Sequence, residues 1–321
     1  MKYNCDKFII KEIKHKNIEA LQLENHIIKI IVIPSLGGKI ASFYRKDKDF
    51  ELLYENKYEK YIKPNLYDFF EKYDASGFDD AFPTIDTCKV KYGEEEIIYP
   101  DHGEIWTGNF NYQIVEDKII LTYTSKILDY SYEKKIYIED DKLIINYKII
   151  NKGKYNLPCI WAMHCLVKCE EDMEIIFPKG CSKILNVHDS EYLGTIGKVH
   201  SYPKTISCKG DIYYLNRVFP KSYNKTEKYY VKGELQEGKC GIYYPSKKIL
   251  YSIDFPKEKL PYLGFWVTEG GFRGDYNCAL EPTNGYYDDI DIAKNNNKLK
   301  ILEPKEELNF YIRLQLKSIE Y

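Results

Sequence analysis

Polar and apolar residues alternate with a period of two along most of this chain, which is the pattern of strands that bury one face. The alternating segments are rich in Ile, Val, Tyr, Phe and Thr, side chains that pack well on a pleated surface. Short acidic segments at residues 115–118 and 139–142 predict hairpin turns between consecutive strands. Strands are predicted at residues 26–33, 106–115, 118–124, 134–138, 142–150, 249–255, 262–268 and 308–316.

Helix is predicted only in short pieces. A short helix is expected after Pro64 within residues 57–73, and another turn or two at residues 288–293. So little helix beside so many strands predicts an all-β fold. The apolar side chains on one side of the first helical piece are Leu66, Phe69 and Phe70.

Nothing along the chain marks a domain boundary. We find no internal repeat, low-complexity run or linker, so residues 1–321 are expected to form a single domain. Large β-sandwiches and barrels reach this size as one unit. The glycines and the proline between residues 194 and 211 predict a long loop or insertion, which either covers a groove or projects from a sheet.

The charges of the chain nearly balance. Lys and Arg total 47 against 49 Asp and Glu, which gives a formal net charge of −2. A nucleic-acid or anionic-membrane partner requires a basic excess, so neither is expected. No apolar run is long enough to cross a bilayer, and residues 1–6 do not resemble a signal peptide. The chain is therefore predicted to be cytoplasmic.

Nine cysteines are present, an odd number without any Cys-x-x-Cys pair. In the absence of a secretion signal, we expect free thiols that pack as small apolar residues. Cys159, Cys165 and Cys169 lie near His164, but their spacing fits no zinc pattern. Cys165 and His164 do not form a nucleophilic pair either, because neighbouring strand residues point to opposite faces.

One carboxylate near the end of the chain lies among small and polar neighbours. In a strand that ends near residue 282, Glu281 shares a face with Ala279 and Asn277. Pro282 favours extended geometry at Glu281 and is expected to end the hydrogen-bond ladder. A carboxylate in this position is able to grip a polar ligand, whereas the plainer interpretation is a surface glutamate before a turn.

Two histidines change the balance between these interpretations. His102 lies between a proline and a glycine, which predicts an irregular loop, and His164 lies in an apolar strand at residues 158–167. A lone histidine of this kind is more often a hydrogen-bonded core residue. Together with Glu281, however, the two histidines supply groups that exchange protons near neutral pH.

The order of four segments along the chain resembles the aldose 1-epimerase (galactose mutarotase-like) family. The resemblance implies an antiparallel super-β-sandwich of the galactose mutarotase-like type, with a sugar groove on one concave sheet. It also implies that His164 is the general acid, Glu281 the general base and His102 a sugar-binding or charge-stabilising residue. The four segments are residues 33–40, the Asp101-His102-Gly103 loop, residues 161–166 and residues 281–289.

The activity that the resemblance implies is interconversion of the α and β anomers of a free hexose or a related sugar. A carboxylate takes the proton of the anomeric hydroxyl while an imidazolium protonates the ring oxygen, and the ring closes again on the other face. This chemistry requires no cofactor and no metal. A small-molecule sugar is the expected partner, and the protein is expected to be a monomer or a homodimer.

One part of the family pattern is missing. Galactose mutarotases resemble one another in an Asn-Arg pair upstream of the first histidine, but the only arginine in that region here is Arg45, in a stretch that predicts a turn. Residues 76–84 instead resemble a segment of less-characterised mutarotase-like proteins. In that segment, Asp79 or Asp80 either bonds sugar hydroxyls or caps a turn or helix.

Two further side chains are candidates for the sugar groove. Trp266 offers a ring face for stacking on a sugar. Arg273 precedes the strand of Glu281, although an arginine in such a loop is more often solvated. The chain holds only four arginines, whereas a phosphorylated substrate favours several of them around the phosphate. A free sugar is therefore the preferred substrate.

Two other classes of function stay open at this point. The missing Asn-Arg pair is compatible with a non-catalytic carbohydrate-binding protein that kept the fold and lost the chemistry. His102, His164 and Glu281 also make up a sufficient ligand set for a metal-dependent enzyme, although the close His-x-His pair of cupin-type barrels is absent. The aldose 1-epimerase is the leading hypothesis.

Overall fold

The structure is a computed structural model that describes residues 8–73 and 75–319. Antiparallel strands dominate it, which confirms the all-β prediction, and this part of the chain contains one α-helix, Ile290–Asn295 (α1). None of its helical segments is long and apolar enough to cross a membrane. In chain order, the strands are β1 (Ile9–His15), β2 (Ile18–Glu24), β3 (Ile28–Ile33), β4 (Lys39–Arg45), β5 (Phe50–Glu51), β6 (Phe78–Ala81), β7 (Cys88–Tyr92), β8 (Glu95–Tyr99), β9 (Asn111–Val115), β10 (Lys118–Thr124), β11 (Tyr130–Glu139), β12 (Lys142–Asn151), β13 (Leu157–Cys159), β14 (Ala162–Cys165), β15 (Val167–Lys168), β16 (Glu174–Ile176), β17 (Lys183–Asn186), β18 (Val199–Ser201), β19 (Lys204–Ile206), β20 (Ile212–Tyr214), β21 (Lys225–Val231), β22 (Lys239–Tyr244), β23 (Ile249–Asp254), β24 (Tyr262–Glu269), β25 (Tyr276–Thr283), β26 (Lys300–Leu302) and β27 (Glu307–Ser318).

Two large sheets contain most of these strands. The first has 13 strands and follows the order β1-β2-β3-β4-β6-β14-β25-β24-β21-β17-β18, with β5 beside β4 and β15 beside β25. The second has eight strands in the order β16-β22-β23-β27-β12-β11-β10-β9. Three two-stranded ribbons, β7-β8, β13-β26 and β19-β20, complete the sheets of the described residues.

The second sheet buries one of its faces. Along β11, β12 and β27, buried residues alternate with more exposed ones through most of each strand. Most of the buried residues belong to one apolar cluster that also includes residues of the first sheet, whereas Lys134 and Asn151 are buried polar residues. Removing this apolar surface from water is the main force that holds the two sheets together. In β27 the buried residues are Leu308, Phe310, Ile312, Leu314 and Leu316.

The centre of the first sheet is buried on both faces. Every residue of β6 is buried, as are nearly all residues of β14 and β25. One face packs on the apolar cluster, and the other lines a polar pocket. The expectation that Pro282 ends the hydrogen-bond ladder is wrong by one residue, because Thr283 still pairs with Tyr262 and with Ala162 on the two neighbouring strands.

A wholly buried ion pair connects β6 to the second sheet. Lys134 Nζ lies 2.8 Å from Asp80 Oδ2 and donates to the Gly38 carbonyl at 3.0 Å. The hydroxyls of Tyr132 and Tyr147 donate to Asp80 at 3.1 Å and 2.9 Å. Asp80 is therefore a neutralised core residue, with both oxygens engaged inside the protein.

Asp79 points to the opposite face of the same strand and forms a second buried ion pair, with Lys39. The expectation that Asp79 or Asp80 caps a turn or a helix is wrong, because both lie within β6. A lysine distant in sequence neutralises each carboxylate and allows it to be buried in a strand. Neither aspartate lines the polar pocket, so neither is brought to the expected sugar groove.

The predicted strand at residues 106–115 is shorter than expected. Ile105–Thr107 forms a 3₁₀ turn, and β9 begins only at Asn111. Trp106 Nε1 donates to the Asp101 carbonyl at 2.7 Å, which folds the chain back before it can extend.

Two other local predictions also differ from the structure. The helix expected within residues 57–73 is only a 3₁₀ turn, Phe70–Lys72. Phe70 is buried while Phe69 is exposed, so the apolar side chains do not share one side. Residues 194–211 do not form a long loop, because β18 and β19 pair with β17 and β20. They do not line the pocket either.

The eight cysteines of the described residues are all free thiols. Six of them are buried, Cys181 is half-buried and Cys208 is exposed. Burial raises the pKa of Cys159 to about 12 and that of Cys181 to about 11. Cys159 and Cys181 are therefore protonated at neutral pH. Cys5 lies outside the described residues.

Candidate functional site

A pocket of about 440 Å³ lies on the face of the first sheet that points away from the second. Strands β14, β25, β24 and β21 contribute side chains to it, and alternate residues of the same strands belong to the apolar cluster. Its size is in the range of small-molecule sites. The side chains that matter for its chemistry are His102, His164, Lys228, Trp266, Glu281 and Asp288.

His102 reaches the pocket from a tight loop. His102 and Gly103 have φ angles of +55° and +73°, and a Cβ at Gly103 would lie 2.0 Å from the Phe82 carbonyl oxygen, so only glycine fits there. The His102 ring stacks on Phe70 at 4.3 Å, and its Nδ1 lies 2.9 Å from Asp101 Oδ1. This contact orients the ring and leaves Nε2 for a ligand.

Two carboxylates hold the His102 loop in place. Asp101 Oδ2 accepts a hydrogen bond from the Phe70 N–H at 2.7 Å. Burial alone raises the pKa of Asp101, but the hydrogen bond and charge of His102 outweigh burial and lower it. Glu104 is wholly buried and fastens the loop to the second sheet. It accepts hydrogen bonds from the hydroxyls of Tyr123, Ser125 and Tyr130 and from the N–H of Lys126.

His164 lies on β14, beside the stacked rings of Phe70 and His102. Its ring centroid is 4.8 Å from that of Phe70 and 4.9 Å from that of His102, both nearly perpendicular to it. Burial, together with the positive charges of His102 and Lys228, lowers the pKa of His164 well below its ordinary value. At neutral pH the imidazole is therefore uncharged, with one N–H donor and one acceptor nitrogen.

Glu281 lies on β25 with only 2% of its surface exposed. Burial raises its pKa to about 7, although Lys228 opposes the change. Gly264, directly opposite on β24, makes room for the carboxyl group, because a Cβ there would lie 3.1 Å from Glu281 Oε2. Glu281 is thus able to hold or release a proton near neutral pH.

Lys228 is a pocket residue that sequence reasoning missed. Its Nζ lies 2.8 Å from Asp288 Oδ2 and 3.8 Å from Glu281 Oε2, and the Tyr230 hydroxyl donates to Asp288 Oδ1 at 2.6 Å. Burial alone lowers the pKa of Lys228, but Asp288 and Glu281 outweigh burial and raise it. The sequence does show that Lys228 shares a strand face with Thr226 and Tyr230. A lysine in a strand is usually solvated, however, so this pattern did not point to a pocket.

Replacing Lys228 by Met is expected to raise the pKa of Glu281 further, because a stabilising positive charge is lost. The proton affinity of Glu281 should rise by about tenfold or more. A ¹³C NMR titration of the Glu281 carboxyl carbon, identified by its absence from Glu281→Gln, measures the change. Lys228→Arg keeps the charge and is the control. An unchanged midpoint in Lys228→Met would show that the two groups are not coupled.

Four buried polar atoms that line the pocket make no hydrogen bond within residues 8–73 and 75–319. Buried polar groups are normally bonded, and an unpartnered one costs about 1–3 kcal/mol. Their presence in one cavity makes it a place where a polar ligand or water is able to form hydrogen bonds. The four atoms are His164 Nδ1, Asp275 Oδ2, Asn277 Oδ1 and Glu281 Oε2.

The pocket brings together four of the residues that the sequence suggested. His102, His164 and Glu281 line it, and so does Trp266, which is half-buried and packs edge-on against Phe272 at 5.6 Å. Trp266 lies directly across from Lys228 on the neighbouring strand, so an aromatic face and a charge stand side by side. Within the described residues, no three His, Cys, Asp or Glu side chains are grouped to hold a metal ion.

The arginines lie elsewhere. Arg273 does not line the pocket, because its Nη1 donates to the carbonyls of Glu71 and Tyr73 at 2.9 Å and 3.0 Å. It therefore ties the loop that carries Phe70 to the base of β25. Arg45 lies at the end of β4 and pairs with Asp47, so it does not replace the missing family arginine.

The fold is that of galactose mutarotase-like proteins. A proposed aldose 1-epimerase from Klebsiella pneumoniae matches with a TM-score of 0.73 and 12% identity, over 98% of this chain and 85% of that one. A galactose mutarotase-like protein from Clostridium acetobutylicum matches with a TM-score of 0.70 and 14% identity, over 98% of this chain and 100% of that one. A proposed aldose 1-epimerase from Escherichia coli K12 matches with a TM-score of 0.67 and 15% identity, over 98% of this chain and 100% of that one.

These solved structures confirm the predicted antiparallel super-β-sandwich, although they are only 12–15% identical to this chain. No curated protein matches the sequence at a significant level. A family model described as a domain of unknown function (DUF5107) matches residues 3–300. The chain therefore belongs to the DUF5107 family and carries its function on a galactose mutarotase-like fold.

Proposed function

We propose that the pocket is the active site of an aldose 1-epimerase, which interconverts the anomers of a free sugar by acid–base ring opening. The observation that carries the proposal is the meeting of Glu281 and His164 in one pocket, with the pKa of the first raised to about 7 and that of the second lowered. Between these two pKa values Glu281 is protonated and His164 is neutral, so the pocket holds one proton donor and one acceptor.

Ring opening moves two protons. One leaves the anomeric hydroxyl and one reaches the ring oxygen, while the C1–O5 bond breaks and C1 becomes a carbonyl. In our proposal, protonated Glu281 donates to the ring oxygen and neutral His164 accepts the hydroxyl proton. Rotation about the C1–C2 bond presents the other face, and ring closure then returns both protons by the reverse transfers.

These roles at the start of the cycle are opposite to those implied by the family resemblance, which makes His164 the acid and Glu281 the base. The pKa directions favour the new assignment, because burial disfavours the charged form of both groups. In ring closure the imidazolium of His164 returns its proton to the oxygen on C1, and the carboxylate of Glu281 takes the proton of O5. Each transfer typically contributes about 10²–10⁴ in rate.

Charge around the pocket supports a neutral sugar. Among the described residues that line the pocket, Lys228 is the only lysine or arginine, whereas six residues carry carboxyl groups. A phosphate group is better matched by several arginines or lysines, so a phosphorylated sugar is disfavoured. Trp266 offers a stacking face, and Asn277 offers an unpartnered amide oxygen to a sugar hydroxyl. The six carboxylates belong to Glu71, Asp86, Asp101, Asp275, Glu281 and Asp288.

The catalysed rate should depend on pH as a bell-shaped curve. Above about pH 7, Glu281 loses the proton that it donates, and at acid pH His164 becomes protonated and no longer accepts one, so kcat/KM falls on both sides. The measurement is kcat/KM from about pH 4 to about pH 9, after subtraction of the spontaneous rate in the same buffers. A rate that keeps rising through about pH 9 would contradict a mechanism in which protonated Glu281 is the donor.

The proposal is tested by saturation-transfer NMR of anomer exchange across a panel of aldoses, beginning with glucose and galactose. Faster exchange with protein than without it supports the epimerase. Sugar binding in calorimetry without any acceleration would instead favour a non-catalytic carbohydrate-binding protein. A folded sample that neither binds nor accelerates any aldose would exclude both functions for that panel.

A further inference from the structure

Phe70 packs against both histidines of the pocket. Its ring stacks on that of His102, with the centroids 4.3 Å apart, and lies edge-on to that of His164, at 4.8 Å. The two imidazoles are themselves 4.9 Å apart. Phe70 is buried, so these contacts are close-packed. Because one ring contacts both imidazoles, a displacement of Phe70 changes how His102 and His164 are placed relative to each other.

The segment that carries Phe70 depends on other parts of the protein for its position. Within residues 54–73, the turn Phe70–Lys72 is the only helical or strand segment of the described chain. A single 3₁₀ turn has poor hydrogen-bond geometry and is not stable by itself. Contacts with distant segments must therefore hold Phe70 against the histidines. We refer to residues 65–73 as the Phe70 strap.

Two distant loops tether the strap. From the loop of His102, Asp101 Oδ2 accepts a hydrogen bond from the Phe70 N–H at 2.7 Å. From the loop between β24 and β25, Arg273 Nη1 donates to the carbonyl oxygens of Glu71 and Tyr73, at 2.9 Å and 3.0 Å. A charged donor makes stronger hydrogen bonds than a neutral one, and a guanidinium carries several N–H groups. Arg273 thus fastens the chain directly after Phe70.

Arg273 is itself held in a fixed place. Its Nε lies 3.6 Å from Asp275 Oδ2, and Asp275 Oδ1 accepts a hydrogen bond from the Tyr54 hydroxyl at 2.8 Å. The φ angle of Arg273 is +57°, in the left-handed region that favours glycine. Glycine would suit this backbone better, but it has no side chain with which to reach the strap. The guanidinium is therefore the part of this residue that the site requires.

We propose that Arg273 is a positioning residue for the pocket: from outside, it holds the Phe70 strap against His102 and His164 and so fixes the two imidazoles relative to each other. This role differs from that of an arginine in the groove, which would contact the ligand itself. The effect on anomer exchange rests on the proposed function, whereas the effect on the histidine rings does not.

Arg273→Met removes both hydrogen bonds to the strap. Methionine is unbranched at Cβ, like arginine, so the variant places no new demand on the backbone. We expect kcat for anomer exchange to fall about tenfold to a hundredfold, because small displacements of catalytic groups have large effects on rate. KM should change less, since Arg273 does not line the pocket.

Arg217→Met is the matched control. Arg217 is exposed, lies 5.0 Å from the centre of the Tyr214 ring and does not line the pocket, so this variant should keep the wild-type kcat. An unchanged kcat in folded Arg273→Met would overturn the proposal, as would an equal loss in Arg217→Met. A rise in KM alone would also overturn it, because it would mean that Arg273 serves binding of the ligand.

A double-variant cycle tests whether Arg273 acts through Phe70. Phe70→Leu keeps an apolar side chain in the strap but removes the ring that contacts both imidazoles. If Arg273 acts through this ring, Arg273→Met should lower kcat much less in the Phe70→Leu background than in the wild type. Equal factors in the two backgrounds would show that the residues act independently and would overturn the proposal.

Proton NMR of the His102 ring reads the strap without catalysis. The ring current of the stacked Phe70 should shift the carbon-bound ring protons of His102 upfield, and His102→Gln identifies their signals by absence. At one alkaline pH, Arg273→Met should move them toward the values of an unstacked histidine, and Arg217→Met should not. Unchanged signals in Arg273→Met would overturn the proposal. Signals that move in a protein that accelerates no aldose would retain the strap and reject the epimerase, so the two proposals fail separately.

Discussion

Replacing Glu281 by Gln should lower the rate of catalysed anomer exchange by about 10²–10⁴-fold, which is the typical contribution of one proton transfer. Gln has nearly the shape of Glu and keeps the space beside Gly264, but it neither gives nor takes a proton in the neutral range. Saturation-transfer NMR with the most responsive aldose measures the loss. Wild-type exchange rates in a folded Glu281→Gln variant would remove Glu281 from the mechanism.

The same variant should be more stable than the wild type above neutral pH. The pKa of Glu281 in the folded protein is about 7, above its ordinary value of 4.5, so folding favours the protonated form. The resulting cost is absent below about pH 4.5 and grows as pH rises to about 7, where it levels off at about 3 kcal/mol. Gln carries no charge and avoids this cost.

Urea unfolding at about pH 5 and about pH 8 distinguishes the loss of a catalytic group from damage to the fold. The gain in the free energy of unfolding should appear mainly at the higher pH. Glu307→Gln, at an exposed position of β27, is the control and should change neither activity nor its pH dependence. Lost activity with an equal loss of stability at both pH values would mean that the variant damages the fold rather than the chemistry.

Lys134→Met should lower the free energy of unfolding by about 3–5 kcal/mol. Lys134 and Asp80 are both wholly buried, and the change leaves the Asp80 carboxylate without its counter-charge in the interior. Tyr132 and Tyr147 still donate hydrogen bonds to Asp80, but hydroxyls alone do not offset the cost of burying the charge. Urea unfolding measures the loss.

The double variant Lys134→Met/Asp80→Asn should recover much of the lost stability. Asn keeps an oxygen that accepts from the tyrosine hydroxyls and carries no charge to bury. The kcat/KM of the folded protein should stay unchanged in both variants, since neither residue lines the pocket. A single variant that loses less than about 1 kcal/mol would mean that water or a rearranged neighbour compensates for the missing charge.

The fold was largely predictable because a strand that buries one face alternates apolar and polar residues along the sequence. Strands β10, β12 and β27 were predicted to within two residues at each end. Strand β6 was missed because both of its faces are buried, so its two aspartates suggested a turn. Their lysine partners come from β4 and β11, and no local pattern reports a contact over that distance.

The candidate site was only partly predictable for a related reason. His102, His164 and Glu281 were identified because histidines and a strand carboxylate are few and chemically distinctive. Lys228 was missed because the chain contains many lysines and only the fold places this one beside Glu281. Arg273 was expected in the groove, but nearby carbonyls in a loop distant in sequence hold it outside.

The lining residues of the pocket come from segments spread between Phe69 and Asp288. During synthesis, most of the chain must therefore leave the ribosome before a sugar can be held. Any sugar that binds only the native state must stabilise all of these segments together, by about 2.7 kcal/mol at one hundred times its Kd. Melting temperature thus offers a way to rank a large collection of sugars before any reaction has been detected.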